Sequence, residues 1–148
     1  MGSAVAPGNS KIPAELIEAY RDAVYRVATL DQALVLAVDQ RSPELAAMYE
    51  IYGSNCACFI TACNPMSQVR SHEFNREANV RLRMELERLA GAIFDSDASD
   101  ADGKGAREPG FLALGIDEAQ SAGLGRSFEQ NAVLWAAADA VPRLLLLR

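Results

Sequence analysis

Histidine is almost missing from this chain, which has a single one, His72. The G-x-S-x-G elbow, the Walker loop and the H-E-x-x-H pair are missing altogether. The commonest sequence signals for acyl transfer, nucleotide phosphates and zinc hydrolysis therefore have no counterpart here. A Cys63–His72 nucleophile pair can be drawn, but nothing in the spacing requires it. Ser71 is better explained as a helix N-cap than as a nucleophile.

Cysteine is scarce and odd in number, at three. Met1 to Ser10 has neither the basic start nor the apolar core of an export signal. Free thiols in a reducing cytoplasm are the simplest expectation. Cys56 and Cys58 fall on one side of a strand and Cys63 on the other, so the thiols do not converge on a metal. No cofactor is implied. Gly2 follows Met1, but Ala6 stands where a myristoylation signal needs Ser or Thr. Apolar runs are strand-sized, as in Leu144 to Leu147, which excludes a membrane-spanning helix.

Positive charge is in deficit. Lys and Arg number 14 against 20 Asp and Glu, a net charge of −6. That balance argues against a nucleic-acid or anionic-membrane binder, since phosphate contacts need positive faces. It suits a basic protein partner.

What is present fits one globular domain. The chain has 148 residues, 50% hydrophobic and 23% charged. A domain of this size buries about two-thirds of its extended surface. Residues 1–12 are small and polar and read as a disordered tail; residues 13–148 form the domain. Leu16, Ile17, Tyr20 and Val24 follow helical spacing after Pro13, giving a helix over 13–22. Alternation over 23–29 and 33–40, with a polar break at Asp31-Gln32, predicts a β-hairpin. Ser42 caps a second helix that ends at Gly53. Cys56 to Cys63 reads as a buried strand stopped by Asn64-Pro65.

The helix over 71–90 is the clearest element. Gly91 ends it and 92–94 reads as a short strand. The acidic stretch 95–105 reads as an exposed loop. Residues 111–116 form a strand. Asp117 caps a helix with Gln120 as its capping-box partner. Strands at 132–137 and 143–147 close the chain as a hairpin. The order α-ββ-α-β-α-ββ-α-ββ predicts an α+β domain with a mixed or mainly antiparallel sheet and about four helices packed on it.

Two polar groups need explanation. On the 71–90 helix, Phe74, Ala78, Leu82, Leu86 and Leu89 share one arc. Asn75 lies inside that arc and Asn79 just past its edge. A core-facing amide must find partners or cost a few kcal/mol. It either pins a loop or faces a ligand. Its other faces carry Arg76, Arg81, Arg83 and Arg88 among Glu73, Glu77, Glu85 and Glu87. These read as a self-neutralising solvated face, or alternatively as an arginine-rich docking surface. The acidic stretch fails the calcium-loop register, because Asp100 stands where glycine is needed. Its Asp95, Asp97, Asp100 and Asp102 are instead candidate partner-facing charges. Thr61, Asn64, Asn75, Glu108, Gln130 and Asn131 all fall at or near element ends, where clefts form. They could line one binding pocket or interlock loops.

The combination of Ala19-Tyr20, Phe59 to Pro65, Asn75, Leu82, Glu108 to Phe111 and Phe128 to Val133 resembles a family of small bacterial proteins of unknown function. The resemblance covers residues 13–147 and rests on I-T-A-x-N-P and Q-N-A. It implies a bacterial, cytoplasmic protein and supplies no catalytic residue. Members of that family more often carry tryptophan where Cys63 stands, which puts a thiol mechanism there in doubt. Charge and composition favour a non-enzymatic interaction module, for instance an immunity or antitoxin-like protein binding a basic toxin. The alternative is a small-molecule binding or enzymatic domain with the amide-rich pocket.

Overall fold

A computed structural model describes residues 4–29 and 34–148. The expected break at Asp31-Gln32 lies outside them. Helix α1 (Ala14–Asp22) leads into the hairpin β1 (Val24–Val27) and β2 (Leu34–Leu36), and α2 (Pro43–Tyr52) follows. Strand β3 (Ala57–Ile60) and a one-turn 3-10 helix (Pro65–Ser67) precede the long α3 (His72–Leu89). Then come β4 (Ala92–Ser99), β5 (Glu108–Leu114), α4 (Glu118–Ser127), β6 (Ala132–Ala136) and β7 (Pro142–Leu146). This is the α-ββ-α-β-α-ββ-α-ββ order read from the sequence.

The caps explain why these elements start and stop where they do. Ser42, Ser71 and Asp117 each accept a backbone N–H from the residue three positions on. Gln120 completes the capping box with Asp117. Gly53 takes φ 66°, the left-handed turn that ends α2.

All seven strands form one sheet in the order β2-β1-β4-β5-β3-β6-β7, and every pairing is antiparallel. Strand alternation divides the apolar residues between the two faces. Ala57, Phe59, Leu112, Leu114 and Leu134 pack with Leu45, Met48 and Tyr49 of α2. Cys58, Ile60, Phe111, Ala113 and Val133 pack with Leu82 and Leu86 of α3 and Ala122 and Leu124 of α4. Helix α1 closes over the β6–β7 end through Ile17, which packs on Leu146. Among the described residues no helix is long and apolar enough to cross a membrane.

Two expectations are corrected. Residues 4–12, read as tail, lie along the sheet: Val5 bridges to Leu146, Ser10 Oγ donates to the Arg148 carbonyl, and Ile12 is buried. The edge of β7 offers unpaired backbone groups, and Val5 N–H donates to one of them, the Leu146 carbonyl, at 2.8 Å. The stretch 95–105 is not all loop, because β4 runs on to Ser99. Its residues pair on both sides, with β1 and with β5. Arg26 Nη1 donates to Asp97 Oδ1 at 2.9 Å, and its Nη2 donates to Ser99 Oγ at 3.2 Å. Tertiary pairing overrides the poor strand propensity of Asp and Ser.

Helix α4 gives a paired test. A Cβ at Gly125 would sit 2.3 Å from Leu147 Cδ1 and 2.9 Å from Val133 Cγ1, whereas one at exposed Gly123 would meet nothing within 4 Å. Valine is stiff at χ1, so its methyl cannot simply swing aside. Gly125→Ala should destabilise by about 1–3 kcal/mol. Gly123→Ala should stabilise by about 0.5–1 kcal/mol, through helix propensity. Urea unfolding of both variants checks the opposite signs.

Candidate functional site

The chain leaves β3 into a backbone that few residues tolerate. Asn64, Met66 and Ser67 have φ of 48°, 59° and 59°. Left-handed geometry costs a non-glycine residue about 1–2 kcal/mol, least for asparagine. The surroundings must therefore hold the loop in place. Met66 N–H donates to the Glu129 carbonyl at 2.7 Å, and Ser67 N–H to that of Asn64 at 2.9 Å. Thr61 Oγ1 donates to the Pro109 carbonyl at 2.6 Å and accepts from Cys63 N–H at 3.0 Å.

Amide side chains from two directions complete the grip. Asn64 N–H donates to Asn75 Oδ1, and Asn75 Nδ2 returns a bond to Asn64 Oδ1, both at 2.9 Å. Asn64 Oδ1 also accepts from Arg70 N–H, and Asn64 Nδ2 donates to Glu108 Oε2, again at 2.9 Å. One turn further along α3, Asn79 accepts from Ala62 N–H at 2.9 Å and donates to the Pro109 carbonyl at 3.0 Å. From the α4–β6 corner, Gln130 Nε2 donates to the Cys63 carbonyl at 3.0 Å. Asn131 Nδ2 donates to Tyr20 O–H at 3.0 Å and Ser67 Oγ at 3.1 Å.

Asn79 is more buried than Asn75 and belongs fully to this network, although the sequence reading set it aside. The signal was present: two amides four residues apart on one helix reach neighbouring positions on the same side. Tyr20 and Ser67 were not singled out as site residues, because their importance depends on contacts far along the chain.

The network borders a cavity of about 240 Å³ between α1, the α2-side face of the sheet and the loop. Thr61, Asn64, Glu108, Gln130 and Asn131 line it, along with Tyr20, Tyr25, Phe59 and Asp100. Asn75 does not. It lines a second, larger cleft on the other side, and Asn64 and Glu108 line both. The Asn64–Glu108 pair is thus a wall between the two spaces.

The acidic residues separate. Asp95 and Asp97 sit on β4, where Asp95 lies 3.8 Å from Arg83 and Asp97 engages Arg26 and Arg107. Asp100 reaches the smaller cavity. Asp102 Oδ1 accepts from Lys104 N–H in the turn.

Protonation follows from burial. Burial pushes the Glu108 carboxyl above its ordinary range, opposed by the Asn64 hydrogen bond. Tyr25 donates its hydroxyl to the Tyr20 carbonyl, and burial raises its pKa as well. Burial also raises the Cys63 thiol, against hydrogen bonds from Thr61 and Asn79. A thiol kept protonated is not an activated nucleophile. Cys58, wholly buried, is pushed up to about 12. Among the described residues no three His, Cys, Asp or Glu side chains gather as a metal set.

Fold and site together define a small α+β domain with a cavity of mixed polar and apolar lining beside its strained loop. Residues 60–133 match DUF3293, a family of proteins of unknown function, and the chain belongs to that family. No curated protein and no solved structure matches the chain. The matched stretch runs from the end of β3 into β6. It takes in the strained loop, both α3 asparagines, Glu108 and the Gln130-Asn131 corner.

Two outcomes follow. Asn64→Ala should cost about 1–3 kcal/mol, since it removes the hydrogen bonds of the half-buried Asn75 and Glu108 side chains and puts a Cβ without a local hydrogen bond in the left-handed region. Asn64→Gly, which removes the amide but not the conformational freedom, should cost about 1 kcal/mol less than alanine. Denaturant melts of both variants separate the two contributions.

Glu108 has a pH signature. At pH below its unfolded pKa the group is protonated in both states and contributes nothing. As pH rises through the ordinary carboxylate range toward the raised folded pKa, ionisation is disfavoured in the folded chain, so its share of stability falls. Glu108→Gln keeps an acceptor for Asn64 and removes this titration. Its stability relative to wild type should rise between about pH 4 and pH 7. A difference independent of pH would contradict this assignment.

Proposed function

We propose that this protein is a small-molecule binding domain and that the Glu108 cavity takes a small amine as its cation. The observation that carries the reading is the lining: among the described residues it holds Glu108 and Asp100 and no Lys, Arg or His. Burial disfavours a lone carboxylate, and an ammonium beside it removes that penalty. Tyr25 and Phe59, edge to face with ring centroids 5.1 Å apart, add aromatic surface of the kind that attracts cations. The loop amides and the Tyr20, Thr61 and Ser67 hydroxyls supply neutral hydrogen-bonding groups. At about 240 Å³ the space suits a ligand of a few heavy atoms. The protonated Cys63 thiol gives no support to a covalent step.

The interaction-module reading, with a basic toxin as partner, has less support. It rested on the net charge of −6 and on an exposed acidic loop, yet of that loop Asp97 is engaged by Arg26 and Arg107 and Asp95 lies near Arg83. Only Asp100 and Asp102 lie in the turn that follows β4.

Thermal-shift and calorimetric titration with ethanolamine and putrescine, with acetate as control, test the proposal. The amines should raise Tm and acetate should not. Glu108→Gln should weaken amine binding by about tenfold or more, the scale of a charge-assisted hydrogen bond. Equal stabilisation by acetate, or no effect of either amine, would overturn it.

A further inference from the structure

The larger cleft has the opposite chemistry. It lies between the first half of α3 and strands β4 and β5, with a volume of about 620 Å³. Arg70, Arg76, Arg83, Arg107 and His72 line it, in a chain whose net charge is −6. We propose that this cleft binds a small phosphorylated ligand with an apolar or planar body.

The state of each cation supports an anion as occupant. Arg76 makes no hydrogen bond or ion pair among the described residues. The Arg70 guanidinium stacks on the Phe74 ring at 3.9 Å and has no carboxylate partner among the described residues. Arg83 bonds Glu87 at 3.3 Å and lies 3.8 Å from Asp95, while Arg107 lies 3.9 Å from Asp97. Exposed ion pairs of this kind hold by only about 0–1 kcal/mol and exchange readily for a stronger anion. The two carboxylates that line the cleft, Asp95 and Glu108, are outnumbered by its four guanidinium groups. Guanidinium forks match phosphate oxygens bidentately.

The rest of the lining argues for an organic body. Phe111, Pro109, Val80 and Val69 give the cleft apolar surface, and Val69 and Val80 are exposed. Arg83 lies over the Phe111 ring at 5.7 Å, so a planar group could stack beside it. A bounded cleft in an acidic chain suits a single small anion. A nucleic-acid polymer would need a basic stripe continuing across the surface.

The cleft is a separate space from the amine cavity, although Asn64 and Glu108 border both, and its test uses different ligands and different residues. Calorimetry and thermal shift on the full chain at low salt would use pyrophosphate, AMP and a single-stranded oligonucleotide. Pyrophosphate and AMP should raise Tm and bind with Kd below about 1 mM. The double variant R70Q/R76Q should weaken both by about tenfold or more. Its unliganded Tm should match wild type, because neither guanidinium holds the fold by an ion pair. R88Q removes one positive charge outside the cleft, where Arg88 pairs with Glu85 at 3.6 Å, and should leave binding unchanged. Absence of binding to both phosphates, binding confined to the oligonucleotide, an undiminished R70Q/R76Q, or an equal loss in R88Q would each overturn the proposal.

Discussion

The reciprocal amide pair between Asn64 and Asn75 is the constraint on which the site depends. It fixes a left-handed residue at the end of a buried strand and ties that residue to the face of α3. Asn64 then carries the bond to Glu108, so the carboxylate is placed by the same side chain that holds the loop. Met66 and Ser67 can keep their unfavourable backbone only because Glu129, Asn131 and Tyr20 meet them from outside. Strain of this kind persists where surrounding structure over-determines it, and it concentrates at binding and catalytic sites.

Of the two roles weighed for the asparagine, the structure shows the pinning of a loop. The α3 amides are structural, since their hydrogen bonds go to backbone and to other amides. They are also positional, because the groups they fix border two cavities. The sheet makes this possible. Strand β3 lies between β5 and β6, so its end is within reach of Glu108 on one side and Gln130-Asn131 on the other. Residues more than sixty positions apart meet at a single loop, as in the bond from Gln130 to Cys63.

Much of the fold could be read from the sequence because its determinants are local. The caps Ser42, Ser71 and Asp117 and the terminal Gly53 announce their helices within four residues. The hydrophobic spacing of Leu82 and Leu86 gave the face of α3. Strand β4 could not be read beyond Phe94, since Asp and Ser pair there only because Arg26 and two neighbouring strands are present. Residues 4–12 failed for the same reason: their structure is lent by the β7 edge. The site was legible as a set of residue types at element ends. Its division between two cavities was not, because which side of β5 each group faces is settled by tertiary packing.

The Asn64–Glu108 wall has a thermodynamic consequence. The same carboxylate borders one chamber that has no basic side chain among the described residues and another lined by guanidinium groups. Whatever occupies either chamber alters the electrostatic potential at that carboxylate, and so its proton. The proton in turn alters the potential felt by an occupant of the other chamber. Linkage of this sort is reciprocal by necessity, so if both proposed ligands bind, each would set part of the affinity of the other without any movement of the backbone.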